Sequence, residues 1–301
     1  MECVTDNCYI IRETISGTRE IPAYLTKDFG AIPQIVYKYL DISKSYNRDS
    51  LIEDYLWFSD PTTFNDPFDC KVSFAYHLLA EDEVKCREYY RFIIDMNYSN
   101  LSIVQKENLI ERNVNMMLSK RSDTDFFRKR EKEMALDISV GLKDFGILCT
   151  CMINDNILLW SHYAASHTGI CLGLKADKLL RNYYNGGDMG VGEIRYDKFP
   201  EVMPLNSNDH QAIVDTFQPF FLTKAPYWNY EMEYRFMDYP CIERKKRIGD
   251  ILDAVYMGCN ISDEDEIFIK DFCKRDNREI KLFKAEKGYF KYEVEYNRLD
   301  Y

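Results

Sequence analysis

The 301-residue chain is 46% apolar and carries a formal net charge of −11. That is enough apolar material for one large domain or two interleaved lobes, and too acidic to draw nucleic acid or an anionic membrane by bulk charge. A phosphate-bearing ligand must therefore meet a local basic site.

The start, Met1-Glu2-Cys3-Val4-Thr5-Asp6, has no basic head and no apolar run. No apolar stretch approaches the roughly 18 residues of a membrane span. The ten cysteines then read as reduced thiols, and the expectation is a cytoplasmic protein with no membrane partner. Only four histidines are present (His77, His162, His167, His210), and Cys149-Thr150-Cys151 is C-x-C, so no structural metal is expected.

Residues 1–33 show no period and are punctuated by Pro22 and Pro33; they read as an extension to a domain spanning 34–301. Ile35-Val36-Tyr37-Lys38-Tyr39-Leu40 is a β-branched and aromatic strand, with Lys38 either at an edge or facing a cleft. Leu51 to Ser59 reads as a second strand. It runs into Asp60-Pro61-Thr62-Thr63-Phe64-Asn65-Asp66-Pro67-Phe68-Asp69, a loop braced by Asn, Asp and Pro turn chemistry. From about residue 80 to 143 the period becomes helical, over Val84 to Ile94, Ile103 to Leu118 and Phe126 to Val140, with Ser122 to Asp125 as a cap. These segments form a helical insertion.

Gly146 to Met152 predicts a buried strand, Leu158 to Ala164 a short helix, and Thr168 to Leu174 a strand whose glycines allow close backbone approach. Ser161 lacks a nucleophile elbow, and the adjacent His162 points elsewhere on a helix, which argues against a serine hydrolase. Asn185 to Gly190 reads as a loop before a strand at Glu193 to Tyr196, and 209–222 as a helix. The tail predicts a strand at Ala254 to Gly258, a helix over Ile267 to Cys273, and strands near 280–285 and 289–295. The fold class is α+β, a mixed sheet with helices clustered in the middle.

The stretch Trp228-Asn229-Tyr230-Glu231-Met232-Glu233-Tyr234-Arg235-Phe236 combines two acids and an aromatic run. As a strand it puts Glu231, Glu233 and Arg235 on one face and Tyr230, Met232, Tyr234 and Phe236 on the other. A charged row backed by an apolar row fits a cleft wall, and equally an edge whose charges pair in water.

The motifs "VYKY", "WFSDPTTFNDPFD", "LCTCMINDNILLWSHYAASHTGICLGL", "EIRYD" and "KAPYWNYEMEYRF", in this order, resemble the bacterial family called domain of unknown function 2971, from about residue 35 to the end. Through that family the layout is also similar to the ADP-ribosyltransferases, which break NAD at its nicotinamide–ribose bond. The second resemblance implies a split β-sheet. It also implies Glu233 as the main catalytic acid with Glu231 in support, the latter orienting or deprotonating an acceptor. Lys38 would stand where transferases have His or Arg. Tyr39, Ser161, Tyr163 and Arg235 would complete the NAD site, Tyr163 and Ser161 beside the nicotinamide. Lysine has neither the fork of Arg nor the acceptor of His, which departs from the pattern. The resemblance thus implies an NAD-consuming transferase or glycohydrolase, with NAD as substrate, and a toxin or phage-defence effector taking a protein or nucleic-acid acceptor. A non-catalytic module that senses a nucleotide or a protein is the open alternative, as is a purely structural Glu233–Arg235 ion pair.

Overall fold

The computed structural model describes residues 12–14, 18–20, 32–183, 188–204, 206–207, 210–275 and 279–300. Most of the extension expected over residues 1–33 lies outside the described residues. The chain divides into two compact units. One comprises Met1–Thr63, Asp144–Tyr196 and Pro226–Tyr301; the other comprises Phe64–Lys143 and Asp197–Ala225.

The first unit is built on one mixed sheet of eight strands. In chain order these are β1 (Ile35–Leu40), β2 (Gly146–Cys151), β3 (Ile170–Lys175), β4 (Asp188–Glu193), β5 (Glu233–Tyr239), β6 (Leu252–Met257), β7 (Lys281–Lys287) and β8 (Val294–Leu299). Their order across the sheet is β8-β7-β6-β3-β1-β2-β5-β4. All neighbours are antiparallel except β6 and β7. That parallel pair needs a crossover, supplied by a helix over Asp263–Lys274.

β1 lies along the whole of β3 but meets β2 only at Tyr37 and Cys151. The sheet therefore parts between β1 and β2, and Lys38 spans the gap by donating from Nζ to Cys149 O at 2.9 Å.

Strand alternation sorts the side chains. One face carries Val36, Leu40, Leu148, Leu172, Leu174, Phe236, Val255 and Leu282, packed in one core with Leu51, Leu179, Leu180, Ile269 and Phe272 from helices. The opposite face carries Tyr37, Tyr39, Cys151, Cys171 and Tyr256, packed with Leu159, Trp160, Tyr163 and Ala164. This second, smaller cluster is where α5 (Ile157–Tyr163) sits.

The second unit holds three long helices, α2 (Glu83–Asn97), α3 (Ile103–Ser119) and α4 (Thr124–Gly141), each bounded within three residues of its periodic segment. Asp82 and Asp123 cap the first and third through their carboxylates, and Ser102 with Gln105 forms a reciprocal box at the second. Arg87–Glu111, Arg91–Glu107 and Lys106–Asp95 contacts run α2 and α3 side by side in opposite directions.

Several expectations are corrected. Leu51 and Ile52 end a helix (α1, Ser45–Ile52) rather than open a strand; Asp54 turns the chain at φ 60°, and the strand is only Tyr55–Trp57. Its partner, Lys245–Arg247, fixes that short length. Residues 188–190 belong to β4, not to a loop, because β5 supplies the pairing partners. The last strand begins at Val294, so residues 289–293 are the turn of the β7–β8 hairpin, closed by Gly288 N donating to Glu293 O at 3.0 Å. A helix over Ala176–Tyr183 (α6), with Leu179 and Leu180 buried, had no counterpart in the sequence reading.

The segment after α5 explains the glycine at position 258. Ala165, Ser166 and His167 all take left-handed backbone (φ 47°, 55° and 67°), a conformation costly for residues with a Cβ. Asn260 braces the turn, its backbone N–H donating to His167 O at 2.9 Å and Nδ2 donating to Ser166 O at 3.2 Å. Gly258 passes directly beneath: a Cβ there would lie 2.1 Å from His167 O. Gly258→Ala is thus expected to destabilise the protein by about 1–3 kcal/mol, read as a lowered urea midpoint at unchanged slope.

Candidate functional site

The site grows from the turn that precedes β5. Pro226 suits the first position of a helical turn, having a preset φ and no N–H to satisfy. Residues Pro226–Glu231 accordingly form a 3₁₀ helix, not the expected strand. Met232 then reverses the backbone at φ 43°, and β5 begins at Glu233. Glu231 and Glu233 are therefore not successive residues of one strand face; they stand on either side of a left-handed residue.

α5 holds this turn from one side. Asn156 caps α5, its Oδ1 accepting from Leu158 N and Leu159 N, and its Nδ2 donates to Tyr230 O. His162 Nδ1 lies 3.2 Å from Tyr230 Oη. Tyr163 Oη donates to Glu231 Oε1 at 2.5 Å. The helix itself is anchored by Trp160, fully buried, whose indole donates to Asn154 O at 2.9 Å and whose ring meets Tyr39 edge-on at 5.2 Å. The sheet holds the other side: Met152 N donates to Met232 O at 3.0 Å, and Glu233 N donates to Tyr196 Oη at 2.8 Å.

Glu233 is buried and clasped by Arg235. Nε donates to Oε1 at 2.6 Å and Nη2 to Oε2 at 3.1 Å, with the guanidinium fully buried. Across the sheet Glu233 is in register with Cys151, and Cys151 with Tyr37. That line crosses the one register pair that joins β1 to β2. Burial pushes the Cys151 thiol up to about 12; Lys38 works against that shift, while Glu233 and Glu231 add to it. The thiol stays protonated and unreactive.

The expected residues separate into three groups. Glu231, Glu233, Arg235 and Tyr163 form two bonded pairs on either side of Met232, Tyr163 with Glu231 and Arg235 with Glu233. Lys38 reaches the same neighbourhood, but from the other side: it is in register with Leu172, on the face opposite Glu233, and its ammonium is bound to the Cys149 carbonyl. The β1 side chains that share the face of Glu233 are Tyr39 and Tyr37, and Tyr37, the one in line with Glu233, is a residue the sequence pattern does not single out. It is half-buried, meets the Tyr256 ring edge-on at 6.0 Å, and has its phenol raised chiefly by burial. Alternation along Tyr37-Lys38-Tyr39 holds the signal, readable only once the register is known. Tyr39 and Ser161 do not reach the carboxylates. Tyr39 is core, with its hydroxyl on Ile153 O at 3.4 Å. Ser161 points away from Tyr163 around the helix; its hydroxyl donates to Ile157 O at 2.9 Å and lies 3.3 Å from His167 Nε2. Burial, and then Lys287, lowers the His167 pKa and keeps that imidazole neutral.

Chemically, the arrangement offers an aromatic wall beside two fixed carboxylates. His162 and Tyr230 meet edge-on at 5.8 Å, and Trp228 and Tyr230 lie 6.2 Å apart. A flat, cationic ring suits such a wall, through stacking and through attraction to the ring faces and carboxylates. Among the described residues no group of three or more His, Cys, Asp or Glu is placed to hold a metal ion, and no helix is long and apolar enough to cross a membrane. A separate groove lined by Glu53, Asp54, Lys245, Arg247 and Asp250 is less suited to an anion, because Lys245 faces Glu53 and Arg247 faces Asp54.

No curated protein and no solved structure matches the chain. One family model does, over a segment that runs from α5 into β5 and so carries Ser161, Tyr163, Glu231, Glu233 and Arg235, while Lys38 and Tyr39 precede it. Over residues 159–236 the chain is similar to the family described as "Protein of unknown function (DUF2971)".

Proposed function

We propose that this protein is an NAD-consuming enzyme of the ADP-ribosyltransferase kind, either transferring ADP-ribose or hydrolysing NAD, and that it serves as a toxin or phage-defence effector. The observation that carries the reading is the meeting of Tyr163 with Glu231 and of Glu233 with Arg235 beside the single pair, Tyr37 with Cys151, that joins β1 to β2. The nicotinamide of NAD is a flat pyridinium cation, which fits an aromatic wall backed by carboxylates. Its departure leaves positive charge on the ribose. A carboxylate already fixed in a dry setting stabilises that charge without reorganising. Arg235 holds Glu233 in such a fixed position, and Glu231 is the second carboxylate, suited to take a proton from the attacking group.

A second reading, a nucleotide-binding module without turnover, draws on two other observations. Arg235 balances the charge of Glu233, and the Lys38 ammonium is spent on a backbone carbonyl.

Incubation of the purified protein with NAD, alone and with cell lysate, separates the two. Free nicotinamide measured by chromatography is expected in at least one arm. Release without lysate marks hydrolysis, and release only with lysate marks transfer. No release in either arm, together with a melting shift by NAD, would replace the enzyme with the binding module.

A further inference from the structure

We infer that Tyr163 is a positioning residue: its phenol fixes Glu231 so that this carboxylate, rather than Glu233, receives the proton of the attacking group. The inference rests on the NAD reading and adds a division of labour within it. Glu233 has both oxygens engaged by one guanidinium in the sheet, which suits a fixed negative charge. Glu231 is held differently. It ends a 3₁₀ turn just before a left-handed residue, and Tyr163 Oη grips its Oε1 at 2.5 Å. Tyr163 is itself the last residue of α5, which is pinned by buried Trp160 and capped by Asn156. The phenol therefore ties this carboxylate to the rigidity of the helix. Such preorganisation is what a proton acceptor needs, because small displacements cost rate.

With water as the attacking group the step is as follows. The water oxygen bonds to the anomeric carbon of the ribose as the carbon–nitrogen bond to nicotinamide breaks. That electron pair passes to the pyridinium nitrogen, so nicotinamide leaves neutral. The proton of the water goes to Glu231, and the products are ADP-ribose, nicotinamide and protonated Glu231.

The test is the kinetics of nicotinamide release by wild type, Tyr163→Phe, Glu231→Gln and the double variant. Tyr163→Phe keeps the ring and loses only the phenol. It is expected to lower kcat about tenfold to a hundredfold and to leave KM for NAD within about twofold, since the stacking surface is intact. Once Glu231 is Gln, Tyr163→Phe should cost nothing further, the signature of two residues acting as one unit. Wild-type kcat in Tyr163→Phe, or full additivity in the double variant, would overturn the positioning role while leaving the NAD reading in place. No nicotinamide from the wild type would overturn the NAD reading itself. Urea midpoints of all four proteins identify any variant whose loss is one of folding.

Discussion

Replacing Arg235 with methionine is expected to destabilise the protein by about 3–5 kcal/mol, the cost of leaving a buried carboxylate without its counter-charge. The guanidinium is fully buried and Glu233 nearly so, and two hydrogen bonds join them. Methionine fills similar volume, so packing loss is small, and the penalty comes from the carboxylate. The double variant Arg235→Met/Glu233→Gln removes both charges and should recover most of the loss. Chemical denaturation checks this, comparing midpoints at constant slope. A cost under about 1 kcal/mol for Arg235→Met would mean that Glu233 is solvated or neutral, and would remove it as a fixed charge.

The second large effect concerns rate. Glu233→Gln is expected to reduce kcat for nicotinamide release about 10²–10³-fold, the scale found when a preorganised electrostatic stabiliser is removed. KM for NAD should change little, because the aromatic wall is untouched and the lost interaction belongs to the transition state. The substitution leaves the Arg235 guanidinium with a neutral partner, so stability is measured alongside. Equal loss in kcat for a variant with unchanged melting behaviour supports the assignment. A tenfold rise in KM with unchanged kcat would instead make Glu233 a binding group.

Much of this architecture is legible in the sequence, for identifiable reasons. β1 is visible because Ile35 to Leu40 is dense in β-branched and aromatic residues, and the long helices α2, α3 and α4 because amphipathic period and cap residues agree. What stays hidden is decided by partners distant in sequence. Trp228 to Phe236 alternates like a strand throughout, yet Pro226 and the bonds from α5 wind its first half into a 3₁₀ turn. Glu231 and Glu233 stand on either side of a reversal at Met232 that no alternation pattern foretells. Lys38 shows the same dependence on pairing. Its neighbours in sequence leave an edge and a cleft both open, and the register with β3 turns it to the face opposite Glu233 and puts Tyr37 in line with that carboxylate. A slip of one residue exchanges the two faces of a strand, and only pairing settles it. The resemblance quoted on motifs from residue 35 onward is matched by a family model over 159–236, the part in which the carboxylates, Tyr163 and Arg235 lie.

The measurement that tests the central claim most directly is a crystal structure of the Glu233→Gln protein grown with NAD. The expected result is an intact dinucleotide whose nicotinamide lies against Tyr163, with the adjoining ribose within hydrogen-bond reach of residues 231 and 233. A dinucleotide bound elsewhere, for example in the groove lined by Glu53, Lys245 and Asp250, or crystals that stay free of NAD at saturating concentration, would contradict it.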